Sequence, residues 1–494
     1  MNCRSCSIVW SVLGTCIASG VANASLAEVE ATLIALSRPM QAEQVEPYRY
    51  GLILTTWSVE KVVTGKVDGT RIAVAQWSWI DGVARVHWPA IGTRATLKVV
   101  AWDERPDVHA LAMSNDIEDS QAYAWYLDVG DPNCPKRSTA LSKARPFVAI
   151  PQSVRALALA PPLASETADR ARSLADTKAA IEAELARNGG TWEAWNANLA
   201  EFRRWITLVH EKQRYEPSGP FCFGAPGILA LTLPTFEGSA PGANPVVMIS
   251  ALHAQLSQRG VDLVVVVIPN KEDIYPDRLT HAAPRSREVA VASKRLLAHL
   301  VDQGVEVVDL FAEFNACRSR GEEIYQPYDS HWNPLGVRRA ALAIAARLQR
   351  YAFVREAQSA PPHWRTVEGT IPGGTDLIVG RRKVELAARF RTTYVGCRTA
   401  RDEPYADAPD SPVLVSGDSF SRYLDLEGGS LTAHLAEALN LSCSLMARQG
   451  SGATVMKMLE ERGAAYLVGR RVLVYTCVAR TFARGEFPVV DLPR

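Results

Sequence analysis

The segment Val261–Ile268 constrains the fold of this chain more than any other. It is an almost unbroken run of apolar and mostly β-branched residues, and Gly260 and Pro269 bound it. A short run of this kind predicts a strand that is buried on both faces, as in a parallel sheet covered by helices. The sequence around it therefore predicts an α/β fold.

Helical and strand-like patterns alternate from about residue 243 onward. Helices are predicted over 248–258, 286–301, 334–351, 431–439 and 454–462, and strands over 305–310, 413–415 and 471–478. This alternation predicts a mostly parallel sheet with helices on both faces. Catalytic loops in such sheets lie at the carboxyl ends of the strands.

The preceding region has a different pattern. Between about residues 45 and 130, runs of strand-forming residues at 50–57, 60–63, 71–79 and 95–100 are separated by Gly and Asp-Gly turns. They predict a small all-β barrel or sandwich. Six of the twelve tryptophans lie here, where they either fill the core or stack on sugar rings: Trp57, Trp77, Trp79, Trp88, Trp102 and Trp125.

A charged helical pattern follows from Ser165 to about His210 and ends its first helix at Gly189-Gly190. It predicts a connector that links or braces the two larger units. The predicted organisation is a signal peptide over 1–24, an all-β domain over 25–135, a helical connector over 136–215 and an α/β catalytic domain over 216–494.

The first residues have the pattern of a secretory signal. Arg4 gives a short positive region, residues 7–21 are mostly apolar, and Ala22-Asn23-Ala24 fits the cleavage pattern that would leave Ser25 as the first mature residue. The alternative is an uncleaved N-terminal anchor. The sequence therefore predicts an exported protein.

Removal of the signal would leave six of the nine cysteines: Cys134, Cys222, Cys317, Cys397, Cys443 and Cys477. An even number in an exported chain permits disulfides, but six cysteines allow fifteen pairings, and buried free thiols are equally compatible with the sequence. No two of them form a CxxC pair, which disfavours a structural zinc cluster.

The overall charge excludes some classes of function. There are 54 Lys plus Arg against 53 Asp plus Glu, which gives a formal net charge of +1. A protein that binds nucleic acid mainly through phosphate contacts, or a membrane surface through a polybasic patch, needs a larger positive excess. The function must therefore be inferred from motifs.

The first such motif is Asp329-Ser330-His331, just before the helix that Asn333 and Pro334 begin. The carboxylate and the imidazole, two residues apart, are close enough for Asp329 to fix the tautomer of His331, as a general base requires. Alone, the pair is also compatible with a metal-ligand pair or an ordinary polar loop.

The second motif is Gly417-Asp418-Ser419, at the end of the predicted strand 413–415. The strand would deliver Ser419 to the edge of the sheet, Gly417 would permit a tight turn, and backbone N–H groups of the turn could donate to an oxyanion. A serine hydroxyl needs a neighbouring base to become a nucleophile, and His331 with Asp329 would supply it. The two motifs together predict a Ser-His-Asp triad.

These segments, together with Ile268–Pro276 (IPNKEDIYP), resemble the alginate O-acetyltransferase family (AlgX/AlgJ-like), a branch of the SGNH hydrolase superfamily. Most SGNH hydrolases place Gly-Asp-Ser early and the His motif late, whereas this family and this chain have the reverse order. The resemblance covers about residue 221 to the C-terminus. Relatives often have Arg before the Asp-x-His motif, where this chain has Pro327-Tyr328.

The resemblance implies an SGNH hydrolase-like fold and a periplasmic enzyme that moves acetyl groups to hydroxyls of an exopolysaccharide. Ser419 would become acetylated, His331 would act as general base and then as acid, and Asp329 would orient His331. The candidate substrate contacts, each of which could instead serve only to support the site, are Lys271, Tyr275, Trp332 and Tyr328.

The resemblance also implies an exopolysaccharide acceptor, a membrane-bound protein as acetyl donor, no nucleic acid, and no metal or organic cofactor. Two alternatives remain open at the level of sequence. One is a carbohydrate acetylesterase with the same triad, because water can replace the sugar as acceptor. The other is a non-catalytic polysaccharide-binding or assembly protein in which the all-β domain does the binding.

Overall fold

The computed structural model describes most of the chain after the predicted signal. The described residues are 26–40, 50–80, 83–85, 87–105, 108–109, 111–117, 119–130, 147–205, 244–279, 281–284, 286, 288–378, 385–386, 389–450, 452–482 and 487–492. The signal prediction over 1–24 falls outside these ranges, as do Cys134 and Cys222. Within them, no helix combines the length and the apolar character needed to cross a lipid bilayer.

The N-terminal part is all-β. Its strands are β1 (Ala27–Leu36), β2 (Gly51–Thr64), β3 (Arg71–Ile80), β4 (Val83–Ala84), β5 (Arg94–Ala101), β6 (Ala112–Ser114) and β7 (Ala124–Asp128). β1 lies ahead of the region in which strands are predicted. Its Ala and Glu residues have weak strand propensity, but buried and partly exposed positions alternate along most of it, as in a strand with one face on a core.

Five of these strands close into a barrel. β1 pairs with both β2 and β5, β2 pairs with β3, β3 pairs with β7, and β7 pairs with β5. Only the β3–β7 contact in this ring is parallel. Of the two architectures predicted for this region, the structure has the barrel. Trp57 and Trp77 are buried inside it, so these two tryptophans fill the core.

The helices between residues 147 and 205 pack on the α/β part of the chain. They are α1 (Gln152–Leu159), α2 (Ala164–Arg187) and α3 (Trp192–Asn198). Trp195 of α3 and Ile181 of α2 belong to the two apolar clusters that also contain the α/β strands. On α2, Ser173 Oγ donates to Glu306 Oε1 at 2.9 Å. Polar as well as apolar contacts therefore attach these helices to the α/β part.

The α/β part contains a five-stranded sheet in the order β13-β12-β14-β8-β9, and all neighbouring strands are parallel. Its strands are β8 (Asp262–Ile268), β9 (Glu306–Asp309), β12 (Val413–Gly417), β13 (Ser444–Ala447) and β14 (Val472–Val478). A separate antiparallel hairpin consists of β10 (Trp364–Pro372) and β11 (Arg391–Thr399).

Helices accompany these strands. They are α4 (Pro245–Ser257), α5 (Lys271–Ile274), α6 (Pro276–Leu279), α7 (Val291–Asp302), α8 (Leu310–Ser319), α9 (Pro334–Leu348), α10 (Ala352–Ser359), α11 (Ser419–Arg422), α12 (Leu431–Leu439), α13 (Lys457–Arg462) and α14 (Ala479–Phe482). Short 3₁₀ helices lie at Trp102–Glu104, Ser120–Ala122, Asp425–Glu427 and Ala464–Leu467.

The parallel sheet has an apolar layer on each face. In β8, Val264, Val266 and Ile268 belong to one cluster. Leu263, Val265 and Val267 belong to the other. The side chains of successive strand residues point to opposite faces, so both faces of β8 are covered, as its composition predicts. Because both faces of the sheet are covered by apolar side chains, polar groups of a site are expected at the carboxyl ends of β8, β12 and β14.

Candidate active site

Ser419 lies at the turn between β12 and α11. The Asp418 carboxylate caps this turn, since its Oδ1 accepts a hydrogen bond from Phe420 N at 3.0 Å and its Oδ2 accepts one from Val478 N at 3.3 Å. Burial raises the pKa of Asp418, while the charge of Arg480 opposes that shift. Asp418 thus fixes the turn to the end of β14.

Gly417 lies where Thr476 of β14 and Ser421 of α11 leave no room for a side chain. A Cβ atom at this position would lie 2.1 Å from Thr476 Oγ1 and 2.3 Å from Ser421 Oγ. No larger residue fits between β12 and β14 without movement of the backbone. The role of Gly417 is therefore tight packing beside the serine.

Two backbone N–H groups of this turn are already used within it. Phe420 N donates to the Asp418 carboxylate, and Ser421 N donates to Asp418 O at 3.2 Å. The prediction that the turn offers free N–H groups to an oxyanion is therefore wrong for these two residues.

His331 lies in a compact loop between α8 and α9. The loop closes through Gln326 N, which donates to His331 O at 3.1 Å, and through Asn333 N, which donates to Ile324 O at 3.0 Å. The Asn333 side chain then caps α9 by accepting from Gly336 N at 3.0 Å. The sequence prediction that α9 begins at Pro334 is confirmed.

The structure brings Asp329, His331 and Ser419 into one hydrogen-bonded row. His331 Nε2 lies 2.8 Å from Ser419 Oγ, and His331 Nδ1 lies 2.6 Å from Asp329 Oδ1. Asp329 Oδ1 also accepts from His331 N at 2.9 Å. A carboxylate can only accept, so Nδ1 carries the proton, and Nε2 is left as the acceptor for the serine hydroxyl.

Aromatic rings hold the imidazole on its two sides. The Tyr423 ring is stacked on His331, with ring centroids 5.3 Å apart and an angle of 11° between the planes. The Phe420 ring lies at 4.6 Å and is tilted by 37°. The Gln326 side-chain amide donates to Tyr423 OH and so fixes that ring. Rotation of His331 away from Ser419 is therefore sterically restricted.

Asp376 is a member of the site that the sequence analysis misses. Its Oδ1 accepts from Ser330 N at 2.6 Å, its Oδ2 accepts from Ser330 Oγ at 2.5 Å, and the same Oδ2 lies 3.7 Å from His331 Nδ1. Gly374, two residues earlier, packs on Asp329, since a Cβ there would lie 2.0 Å from Asp329 Oδ2. The pair Gly373-Gly374 is the only sequence signal for this segment, and it marks a turn without indicating a partner.

The pKa values of these groups follow from burial and from their mutual contacts. Burial by itself would lower the pKa of His331, but the charge and hydrogen bond of Asp329, with a contribution from Asp376, raise it above its usual value. Burial would raise the pKa of Asp329, and the contact with His331 outweighs that and lowers it. Burial, with the nearby charge of Asp329, raises the pKa of Asp376 to about 6.

The four residues predicted as substrate contacts have different positions. Lys271 Nζ donates to Pro327 O and to Asp329 O, each at 3.1 Å, and thus supports the His331 loop. Tyr275 and Trp332 have relative exposures of 1% and 0%. A substrate cannot reach side chains buried to this extent, so the prediction of substrate contact is wrong for these two.

Their contacts explain the burial. Tyr275 OH accepts from Ile324 N at 3.0 Å, and the Trp332 ring lies edge-on to Phe420 with centroids 5.5 Å apart. Both residues hold the loop and the turn in place. Tyr328 is partly exposed and packs edge-on against Phe390 at 5.0 Å, so it remains a candidate contact.

Arg480 is a second residue that the sequence analysis does not single out. Its guanidinium carbon lies 5.2 Å from the centre of the Phe420 ring, and its backbone N donates to Asn270 Oδ1 at 3.1 Å. Its charge opposes the rise in the pKa of His331. This arginine supplies a partly exposed positive charge next to the triad.

The four cysteines in the described part of the chain, Cys317, Cys397, Cys443 and Cys477, are buried free thiols. The sequence is compatible with disulfides and with buried free thiols, and these four cysteines are buried free thiols. Cys477, in β14, donates its thiol proton to Val478 O.

Comparison with known proteins gives a family match for the region that contains these residues. Residues 232–463 match the family model described as SGNH hydrolase-like domain, acetyltransferase AlgX. The chain is 25% identical over 196 residues to the probable alginate O-acetylase AlgJ of Pseudomonas syringae pv. tomato. The aligned region covers 37% of this chain and 49% of that protein. The probable alginate O-acetylase AlgJ of Pseudomonas fluorescens is 23% identical over 185 residues, and the aligned region covers 35% of this chain and 45% of that protein.

A solved structure, the O-acetyltransferase domain of Pseudomonas putida AlgJ, matches with a TM-score of 0.39 at 22% identity and covers 49% of this chain and 83% of that one. The chain thus spans about half the length of the curated relatives it matches. The family resemblance inferred from the motifs is confirmed.

Proposed function

We propose that the protein is an O-acetyltransferase that works through an acetylated serine. Residues 232–463 match the model of an SGNH hydrolase-like domain, acetyltransferase AlgX, which supports this proposal. The observation that carries this proposal is the row of hydrogen bonds from Ser419 Oγ to His331 Nε2 at 2.8 Å and from His331 Nδ1 to Asp329 at 2.6 Å. A nucleophile, a base and an orienting carboxylate in this arrangement are the requirements of acyl transfer.

The reaction has two half-reactions. In the first, Ser419 Oγ attacks the carbonyl carbon of an acetyl ester while its proton passes to His331 Nε2, and the leaving oxygen of the donor then takes that proton. In the second, His331 takes the proton of an acceptor hydroxyl, whose oxygen attacks the acetyl-serine, and Ser419 Oγ is released with the proton returned to it. No net proton is consumed, and no redox step occurs.

The acceptor that we propose is a hydroxyl of an exopolysaccharide, and alginate is the first candidate because the relatives are named alginate O-acetylases. Alginate carries a carboxylate on each sugar. The partly exposed Arg480 beside Phe420 supplies a charge of the opposite sign next to the reacting serine. A local contact of this kind suits a chain whose formal net charge is only +1.

The location and the donor belong to the same proposal. The signal pattern before Ser25 supports export, and we place the reaction in the periplasm. The acetyl group would then come from a membrane-bound donor protein, because the activated acetyl carriers of metabolism are made inside the cell.

The test is incubation of the purified protein with an activated acetyl ester and alginate oligosaccharides. We expect acetylated sugar with the wild type and none with Ser419→Ala, and a mass gain of one acetyl group on Ser419 when the acceptor is omitted. Ser421→Ala, which removes a hydroxyl on the same short helix but leaves the nucleophile, is the matched control and should retain activity.

Each other result points elsewhere. Free acetate without acetylated sugar would favour the carbohydrate acetylesterase. Polymer binding by the wild type and by Ser419→Ala alike, with no turnover in either, would favour the non-catalytic binding or assembly protein. Equal turnover by the wild type and by Ser419→Ala would refute the triad.

A further inference from the structure

Three potential metal ligands meet at a place outside the triad. Cys397 lies on β11, and His434 and Glu437 lie three residues apart on one face of α12. The relative exposures of Cys397 and His434 are 0% and 2%, whereas the side chain of Glu437 is 30% exposed. Two ligands are therefore inside the protein, and the third opens to solvent.

The separations of the three ligand atoms match those of a tetrahedral metal site. Cys397 Sγ lies 3.5 Å from His434 Nδ1 and 3.7 Å from Glu437 Oε2, and His434 Nδ1 lies 3.3 Å from Glu437 Oε2. Around Zn²⁺ with ordinary bond lengths, tetrahedral sulfur–nitrogen and sulfur–oxygen edges are about 3.5 Å, and the nitrogen–oxygen edge is about 3.3 Å. The three atoms thus already form one face of such a tetrahedron.

The orientation of His434 gives an independent argument. Its Nε2 lies 3.0 Å from Val395 O, and because a carbonyl oxygen can only accept, Nε2 must carry a proton. In the neutral imidazole the lone pair of Nδ1 then points into the space between Cys397 Sγ at 3.5 Å and Glu437 Oε2 at 3.3 Å. This is the tautomer that a metal ion bound between the three groups requires. The Nε2–H···O=C contact is also the usual outer contact of a metal-bound histidine.

We propose that Cys397, His434 and Glu437 bind one divalent cation of the zinc type, with water as the fourth ligand on the exposed side of Glu437. A sulfur, nitrogen and oxygen donor set with a thiolate suits Zn²⁺ better than Mg²⁺ or Ca²⁺, which prefer oxygen. The thiolate, the carboxylate and a dication sum to zero charge, so the buried site holds no net charge.

Binding is coupled to loss of a proton. Burial raises the pKa of the Cys397 thiol well above its usual value, and only the thiolate form of cysteine is a metal ligand. The metal forms its bond to sulfur as the thiol proton leaves to solvent. Glu437 is partly exposed, and a carboxyl group in contact with solvent is an anion at neutral pH.

The position of the site suggests its purpose. It fastens β11 of the antiparallel hairpin to α12, and only residues 423–430 separate α12 from α11, which carries Ser419. The metal would therefore be a structural link beside the nucleophile and would take no part in the acetyl transfer. This inference does not rest on the proposed function.

The experiment is metal analysis of the purified full-length protein, followed by removal of metal and titration with Co²⁺ as a spectroscopic probe. We expect about one zinc per chain, a sulfur-to-cobalt charge-transfer band on Co²⁺ binding, and release of about one proton per metal. Cys397→Ser should abolish the band, and Glu437→Gln should weaken binding by at least about tenfold.

Two control variants separate this site from other places. Cys443→Ser removes a buried thiol whose Sγ donates to Leu441 O, and it should bind metal as the wild type does. His331→Ala removes the cluster of Asp329, His331 and Asp376, the other group of potential ligands in the described residues, and it should also leave the cobalt band unchanged.

The proposal is overturned if the wild type binds no metal, if Cys397→Ser retains the cobalt band, or if His331→Ala abolishes it. Glu437→Gln keeps the size and the partly exposed position of the side chain, so it should fold even if Cys397→Ser does not. Zn²⁺ should raise the melting temperature of the wild type and of Cys443→Ser, but much less that of Glu437→Gln at the same concentration. An equal rise in all three would also refute the site.

Discussion

Replacement of Asp376 by Asn tests the electrostatics of the triad with little change in shape. The amide oxygen can still accept from Ser330 N, which now donates to the carboxylate at 2.6 Å. The change removes a negative charge whose oxygen lies 3.7 Å from His331 Nδ1. A nearby carboxylate stabilises the protonated imidazole, so its loss lowers the pKa of His331.

The size of the effect follows from that distance. Two unit charges 3.7 Å apart attract by about 1 kcal/mol at the dielectric constant of water and by about 4 kcal/mol at an effective value of about 20. At about 1.4 kcal/mol per pKa unit, the pKa of His331 should fall by between about 0.7 and about 3. The effect should be clearest above about pH 6, because below that value Asp376 is itself protonated in the wild type.

Two measurements check this. Nuclear magnetic resonance titration of the His331 ring, assigned with His331→Gln, gives the pKa directly. The acetyl-transfer rate against pH should rise once His331 becomes neutral, so in Asp376→Asn the rising limb should move to lower pH. Asp68→Asn, a charge loss at a 73% exposed side chain of the barrel, is the control. A rising limb that stays in place, or moves to higher pH, would refute the reasoning.

Three further positions test the turn that carries Ser419 and a buried ion pair of β9. Gly417→Ala places a Cβ 2.1 Å from Thr476 Oγ1, so we expect a loss of about 1–3 kcal/mol in the free energy of unfolding and reduced turnover, measured by urea denaturation and by initial rate. Asp418→Ala removes the cap of α11 and should cost about 1 kcal/mol, whereas Asp418→Asn keeps an acceptor and should cost less; equal melting temperatures for the two would contradict the cap. Glu306→Ala leaves the buried Arg350, 2.6 Å from Glu306, without its carboxylate partner and should cost about 3–5 kcal/mol in urea denaturation. A loss below about 1 kcal/mol would show that the pair is dispensable.

Local sequence patterns predict those parts of the fold whose residues have a characteristic composition or a helix cap. The apolar run at β8 predicts a strand covered on both faces, and Asn333-Pro334 predicts the start of α9, because burial and capping each leave a short signature. β1 has alternating burial, but half of its ten residues are Ala or Glu, so strand propensity gives only a weak signal for it. The strands of the β10–β11 hairpin mix polar and apolar residues, and most of their positions are exposed or partly exposed, so they lack the continuous apolar run of a core strand.

The site shows the same division. Ser419, His331 and Asp329 occur in motifs whose residue types carry the chemistry. Asp376 and Arg480 reach the site from segments that have no motif, and only tertiary folding brings them there. The motif residues Tyr275 and Trp332 prove to be buried supports, because residue type alone does not show whether a side chain faces the site or packs beneath it.

The strand order gives β14 a particular importance. β14 lies between β12 and β8, so it joins the half of the sheet that leads to Ser419 with the half on which the His331 loop rests. His331 and Ser419 both precede β14 in the chain. We therefore expect Ser419 and His331, 88 residues apart, to become hydrogen-bonded partners only after β14 has been synthesised and has joined the sheet.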